Sequence, residues 1–234
     1  MPRLAVAALT AAVALCVPGV LTLNGVRLLA NDWYVRLEYR RLPADRYGLD
    51  RRERTELGLV GLHSVEPGGR GIRLLREARL PSGKPAFGQR ELRHMRDVRR
   101  WLGRIYPAHL LALAALAALA LLLSIRPASR GVVPRGLAAG AWVTLALAAA
   151  AVVLVLTSYE TFEEGFHGLL FETGTWRFRD ADTLRRLYPD RFWSDTAAIV
   201  GAAAVLQALA ILALPQLVRR RRGKAKRPPE RTRG

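Results

Sequence analysis

The 234 residues carry 37 Lys and Arg against 19 Asp and Glu, a formal net charge of +18, yet 51% of them are apolar. A single cysteine, Cys16, excludes an intrachain disulfide and a multi-cysteine metal site. So basic a chain raises nucleic acid as a partner, but its apolar blocks alternate with charged ones, so anionic membrane lipid is the expected counterion and no nucleic acid is expected.

A helix needs about 20 predominantly apolar residues to cross the hydrocarbon core. Residues 4–23, 108–125, 137–157 and 197–217 qualify, and apart from His109 none carries an acidic or basic residue. The first run is longer than the ~7–15 residues of a secretory signal core, and no small-x-small cleavage site follows it. Leu15 is also the wrong residue before Cys16 for a lipoprotein cleavage box, so the run reads as an uncleaved anchor. No span holds the buried charges of an ion path, which argues against a transporter.

Positively charged loops stay on the cytoplasmic side. The 126–136 loop has Arg126, Arg130 and Arg135 and no acid, the 218–234 tail is strongly basic, and the 158–196 loop is acidic. Both termini are therefore expected in the cytoplasm, with residues 24–106 and 158–196 outside. The 24–106 segment is itself basic, but segments longer than about 60 residues largely escape the rule. The expected fold is an all-α membrane protein: four transmembrane helices and a mostly helical extracytoplasmic cap with room for a short strand pair.

In chain order, residues 33–39 alternate apolar Trp33, Val35, Leu37 and Tyr39 with other residues, a short-strand signal. Asp50 and Glu53 fit a capping box, so a helix should run from Arg51 to about His63 and stop at Pro67-Gly68-Gly69. Residues 71–80 read as extended, and Pro81-Ser82-Gly83-Lys84-Pro85 as a turn. Residues 89–105 form an amphipathic interfacial helix with apolar Leu92, Met95, Leu102 and Ile105 and a basic stripe of Arg93, Arg96, Arg100 and Arg104. Trp101 suits the head-group level, and Pro107 should separate this helix from the second span. In the second outer segment, Phe162, Phe166 and Leu169 or Leu170 share a helical face with His167 nearby. Thr173-Gly174 should turn the chain. Asp182 can cap a short helix holding Leu184, Leu187 and Tyr188, and Phe192-Trp193 should dip toward the bilayer before Ser194 or Asp195 opens the fourth span.

Histidine suits proton transfer near neutral pH, and there are four. His63 lies near a helix end beside Ser64 and Glu66. His109 follows a proline at the start of a span, where a hydrogen bond to lipid or backbone accounts for it. His94 has Asp97 at i+3, and His167 has Glu163 and Glu164 one turn earlier. A carboxylate there can fix a tautomer, although a surface histidine near an acid is common. From spacing alone both readings stand. His94, Asp97, His167 and Glu163 or Glu164 are also conceivable zinc ligands, dispersed ones. No serine-hydrolase elbow, zinc-protease helix, phosphate-binding loop or dinucleotide fingerprint is present.

His94-Met95-Arg96-Asp97-Val98 resembles the H-M-x-D-V segment of the bacterial lipoprotein intramolecular transacylases (Lit). Phe162 through Phe171 is similar to their F-x-x-x-F-H-x-x-x-F segment, and Trp176, Asp182-Thr183-Leu184 and Leu187 to Trp193 continue the likeness. Arg99-Arg100 replaces a common lysine after D-V, and Phe192-Trp193 replaces a Phe-Phe pair. The resemblance implies an integral enzyme of the bacterial cytoplasmic membrane whose site faces outward. Its partners are a diacylated lipoprotein and membrane phospholipid, with no cofactor and no metal. The sn-2 acyl chain of the lipoprotein's diacylglyceryl cysteine moves to the α-amine of the same cysteine. His94, oriented by Asp97, serves as base. His167, tuned by Glu163 or Glu164, protonates the leaving oxygen or holds the oxyanion, and the two roles can be exchanged. Arg93, Arg96, Arg100, Trp101, Phe166 and Trp176 are the expected substrate or lipid contacts. The rival readings are a non-enzymatic assembly or sensor protein that binds a partner through its outer loops, and a metal-dependent membrane hydrolase.

Overall fold

The computed structural model describes residues 2–125, 129–171 and 176–225. Nine helices are described: α1 Arg3–Leu29, α2 Asp32–Arg41, α3 Arg51–Val65, α4 Arg73–Glu77, α5 Gln89–Ser124, α6 Val132–Thr157, α7 Tyr159–Leu170, α8 Thr183–Leu187 and α9 Asp190–Ala225. Four of them, α1, α5, α6 and α9, are long and apolar enough to cross a membrane. Their outward faces expose Leu111, Leu121, Leu147, Leu156 and Leu206, as expected of helices whose solvent is lipid.

The bundle packs around α1 against α6 and α9, with Val17, Leu21, Ala141, Ala204 and Ala208 buried between them. Lipid gives helices no hydrophobic drive to associate, so close backbone approach and polar pairing take its place. A Cβ on Gly140 would sit 2.5 Å from the Val17 Cβ and 2.7 Å from the Ala14 carbonyl oxygen, and one on Gly136 would sit 2.6 Å from the Val13 Cβ. Gly140→Ala should therefore destabilise the bundle by ~1–3 kcal/mol through overpacking. Thermal unfolding in detergent measures it, with Gly201→Ala, where a Cβ meets nothing within 4 Å, as the neutral control. Equal midpoints for the two variants would refute the close crossing.

A polar chain also joins the spans. His109 Nε2 donates to Asn24 Oδ1 at 3.0 Å, Asn24 Nδ2 donates to Gln207 Oε1 at 2.7 Å, and Gln207 Nε2 donates to the Leu21 carbonyl at 3.2 Å. His109 is thus held by a side chain of α1 rather than by lipid.

The other helices form a cap at one end of the bundle. Several local expectations hold there. Asp50 Oδ1 accepts from the Glu53 amide at 2.7 Å and Glu53 Oε2 accepts from the Asp50 amide at 2.8 Å, the reciprocal box that opens α3. The 81–85 turn closes with Gly83 at φ 79°. Other expectations fail. Residues 33–39 lie in helix α2, because Tyr34, Val35, Glu38, Tyr39 and Leu42 form a buried stripe of helical period that overrides the alternation. The 71–80 stretch contains α4, and the strand pair reduces to one isolated bridge, Arg79 with Pro85. Pro107 does not break α5, which runs unbroken from Gln89 to Ser124. Apolar surroundings offer a broken backbone no water, so the helix absorbs the one missing donor. The fourth long helix begins at Asp190, earlier than Ser194 or Asp195. The Thr173-Gly174 turn lies outside the described residues.

The two cap segments share one core. Leu57, Val65, Leu75, Phe87, Leu92 and Met95 from the first pack on Leu184 and Leu187 from the second. Glu91 accepts from the Gly88 amide at 2.6 Å and from the Leu184 amide at 2.7 Å. Asp182 caps α8 only in position. Its carboxylate accepts from the Arg179 amide at 2.8 Å instead of from an α8 amide. Arg186 pairs with Asp45 at 2.8 Å, with both side chains almost fully buried.

Candidate active site

His94 sits in the second turn of α5, on the part of the helix that belongs to the cap. Its neighbours Leu92 and Met95 are buried in the cap core. Arg99, one turn on, donates to the carbonyls of Ser64 at 3.1 Å, Glu66 at 3.0 Å and Gly69 at 3.2 Å. These are carbonyls at and just beyond the C-terminal end of α3, which a cation satisfies well. The residue that departs from the common lysine is thus an anchor of α5.

His167 lies on α7, capped at its start by Ser158, whose hydroxyl accepts from the Thr161 amide at 3.2 Å. Tertiary packing brings the two histidines to one place. The His94 ring lies 4.9 Å from Phe171 and 5.3 Å from Phe178, centroid to centroid. The His167 ring stacks on Trp176 at 4.3 Å and 17°, and lies 5.4 Å from Phe166 and 5.9 Å from Phe171. Phe171 therefore contacts both imidazoles. Phe171 closes the second histidine motif, four residues after His167. Phe178 carried no sequence signal.

The hydrogen bonds differ from those expected. The Asp97 carboxylate accepts from Arg100 at 3.0 Å, and His94 Nδ1 is buried with no hydrogen-bond partner. Arg100, at i+3 and exposed, is the easier partner, while His94 turns into the aromatic cage. His167 Nδ1 donates to the backbone carbonyl of Glu163 at 2.9 Å, so the chain and not a carboxylate orients this ring. The Glu164 carboxylate pairs with Arg177, whose guanidinium lies 5.3 Å from the Trp176 ring. Arg96 Nε donates to the Leu92 carbonyl at 3.3 Å, Arg93 is exposed, and Phe166 is exposed at 52%. The Trp101 indole donates to the Leu170 carbonyl at 2.6 Å rather than facing head groups. His63 stands apart, paired with Asp32 at 2.7 Å across α2 and α3. Among the described residues no three His, Cys, Asp or Glu side chains gather as a metal-binding group.

Burial pushes the His94 imidazole from 6.5 down to about 4, the neighbouring His167 pushes it the same way, and Asp97 opposes them in part. His94 is thus neutral at physiological pH. A buried N–H without an acceptor is rarer than a buried lone pair without a donor. Nδ1 therefore keeps the lone pair and Nε2 the proton. On His167 the carbonyl of Glu163 can only accept, so Nδ1 carries a proton and Nε2 is the nitrogen left to the site. With both rings neutral, His94 would offer a proton at Nε2 and His167 a lone pair at Nε2.

A sequence profile of the lipoprotein intramolecular transacylase Lit family matches residues 75–193, which include both histidines. An uncharacterised protein of Aquifex aeolicus (strain VF5) is 33% identical over 189 residues, spanning 80% of this chain and 83% of that one. The in meso structure of the membrane integral lipoprotein intramolecular transacylase Lit from Bacillus cereus superposes with a TM-score of 0.72 at 16% identity, over 93% of this chain and 96% of that one. A variant of it with one histidine replaced by alanine gives 0.67 at 18% identity over 94% of each chain. The bundle, its helical cap and the profile match that spans both histidines place the chain in the lipoprotein intramolecular transacylase Lit family of integral membrane acyltransferases.

Proposed function

We propose that this enzyme moves the sn-2 acyl chain of a diacylglyceryl-cysteine lipoprotein to the α-amine of that cysteine, leaving an N-acyl, S-monoacylglyceryl lyso-form. The observation that carries the reading is the meeting of two imidazoles, His94 and His167, against the one ring of Phe171. The α-amine attacks the ester carbonyl carbon, a C–N bond forms and the C–O bond to glycerol breaks. One proton leaves the nitrogen and one reaches the glycerol oxygen, so neither water nor a cofactor is consumed.

Of the two exchangeable divisions of labour, the geometry supports the one in which His167 is the base. His167, with its lone pair at Nε2, takes the proton from the attacking amine and returns it to the glycerol oxygen. His94, neutral, donates through Nε2 to the oxyanion. A neutral imidazole of lowered pKa is a pattern for polarising a carbonyl. Amine and ester belong to one molecule, so the reaction is intramolecular and a high effective concentration supplies much of the rate. Phe166, Leu169 and Trp193 are exposed, and this apolar surface suits the acyl chains and neighbouring phospholipid. Arg93, beside His94, is exposed and suits head-group phosphate. The site then faces the outer leaflet with both termini cytoplasmic.

Mass spectrometry of the N-terminal peptide of a reporter lipoprotein, from a processing host with and without this protein, tests the reading. The total acyl mass should stay constant while one chain becomes amide-linked. An unchanged diacylglyceryl form despite good expression would overturn it and favour the partner-binding reading.

A further inference from the structure

We infer that Trp101 is a positioning residue, whose indole N–H fastens the C-terminal end of α7 to α5 and so sets how His167 stands against His94. The role rests on the transacylase reading above, but the hydrogen bond itself does not.

His94 and Trp101 are seven residues apart on α5, two turns along one face. His167 and Leu170 are three apart on α7. The bond from Trp101 Nε1 to the Leu170 carbonyl, at 2.6 Å, therefore ties the two helices together close to both imidazoles. Leu170 is the last residue of α7, and its carbonyl is one of the last four that a helix leaves without an internal donor. The indole N–H, a donor only, supplies what that carbonyl lacks.

The two helices are held unequally. On one side, α5 is rigid here, because Leu92 and Met95 lie in the cap core and Arg99 binds three carbonyls of the α3 end. On the other, α7 is poorly buried: Thr161, Glu164, Gly165, Phe166, Gly168 and Leu169 are all exposed. A helix with so little burial opens at low free-energy cost, and its few tethers decide where its side chains stand. Trp101 is half-buried and its polar atom is spent on protein, unlike a tryptophan that anchors at head groups. Misplacing a reacting group by about 1 Å can cost on the order of 100-fold in rate, so a tether at this point has catalytic consequence without contact to substrate.

The test compares wild type with Trp101→Phe, which keeps an aromatic ring and loses the donor. A second variant replaces Trp101 with benzothienylalanine, whose sulfur replaces the N–H at nearly constant shape, so the test stands even if the first variant folds poorly. Hydrogen exchange in lipid nanodiscs is measured over residues 159–171, and kinetics with a reporter lipoprotein alongside. Both variants should exchange about tenfold faster at 168–171, with α3 unchanged. The kcat should fall about tenfold or more while KM stays within about twofold. Unchanged exchange at 168–171 overturns the tether. Faster exchange with unchanged kcat overturns the positioning role, and so does a rise in KM alone, which would make Trp101 a substrate contact. A wild type that does not transacylate overturns the proposed function, and the exchange experiment still decides whether Trp101 holds α7.

Discussion

His167→Ala is expected to lower transacylation by about 10³-fold, within the 10²–10⁴ range of a lost general base. His94→Ala should cost about 10²–10³-fold, the range for a lost oxyanion donor. The double variant should be little worse than His167→Ala, because groups that act as a unit are not additive. Glutamine separates the two roles. His94→Gln keeps an N–H donor and should retain more activity than His94→Ala, whereas His167→Gln supplies no base and should match His167→Ala. The reverse pattern would exchange the assignments. The pH profile adds a signed expectation. His94 is driven to about 4, first by burial and then by His167, so its protonation removes activity only near that pH. A free α-amine titrates at about 7.7–8.0, so the rate should climb with pH through that interval. Stopped assays of lyso-lipoprotein formation across pH measure both. An inflection that disappears in His94→Gln near neutrality would contradict the burial of His94.

Loss of the Arg186 and Asp45 pair should be the costliest change to the cap. Their side chains are 8% and 3% exposed and meet at 2.8 Å, and removing one partner of a buried pair typically costs about 3–5 kcal/mol. Arg186→Met should therefore lower the stability of the cap by that amount and loosen the 183–187 segment, whose Thr183 hydroxyl also donates to the Ala86 carbonyl. Pairing it with Asp45→Leu should recover most of the loss, since a buried charge is then no longer left alone. Burial pushes the Asp45 carboxyl up, but Arg186 and the amides of Leu49 and Tyr47 outweigh it and hold the group below its ordinary value. A depressed carboxylate contributes stability above its unfolded pKa of about 3.9. That contribution is lost as the pH falls through the lower folded value. Denaturation in detergent at pH 7 and at pH 3 measures the effect. A single-variant cost under about 1 kcal/mol at pH 7 would mean that the pair behaves as an exposed one.

Much of the architecture was legible in the residues because membranes impose a coarse and strict grammar. A span must be about 20 apolar residues long, and four such runs became α1, α5, α6 and α9. The Asp50 and Glu53 box and the 81–85 turn were legible for a local reason: their hydrogen bonds close within three or four residues. Both histidines were legible through their motifs, as was Phe171 at the end of the second one.

What stayed hidden was everything that depends on a partner distant in sequence. Trp33, Val35, Leu37 and Tyr39 alternate well enough for a strand until Phe192 and Val200 of α9 and Leu59 of α3 cover Tyr34, Val35 and Tyr39 as a helical stripe. Pro107 looked like a boundary because local sequence does not reveal that the surroundings leave a broken helix without substitute partners. Spacing puts Asp97 within reach of His94, and Glu163 or Glu164 within reach of His167, but a carboxylate chooses among all donors nearby, and Asp97 pairs with Arg100 and Glu164 with Arg177. Trp101 reads as a membrane anchor until Leu170, 69 residues away, presents its carbonyl. The sequence by itself determined the spans, the local caps and the identity of the two histidines, since those follow from composition, short-range bonds and motif. The tertiary structure alone decided that the two rings meet at Phe171, what each one bonds to and what ties α7 to α5, because contacts and burial are set by atoms that only folding brings together.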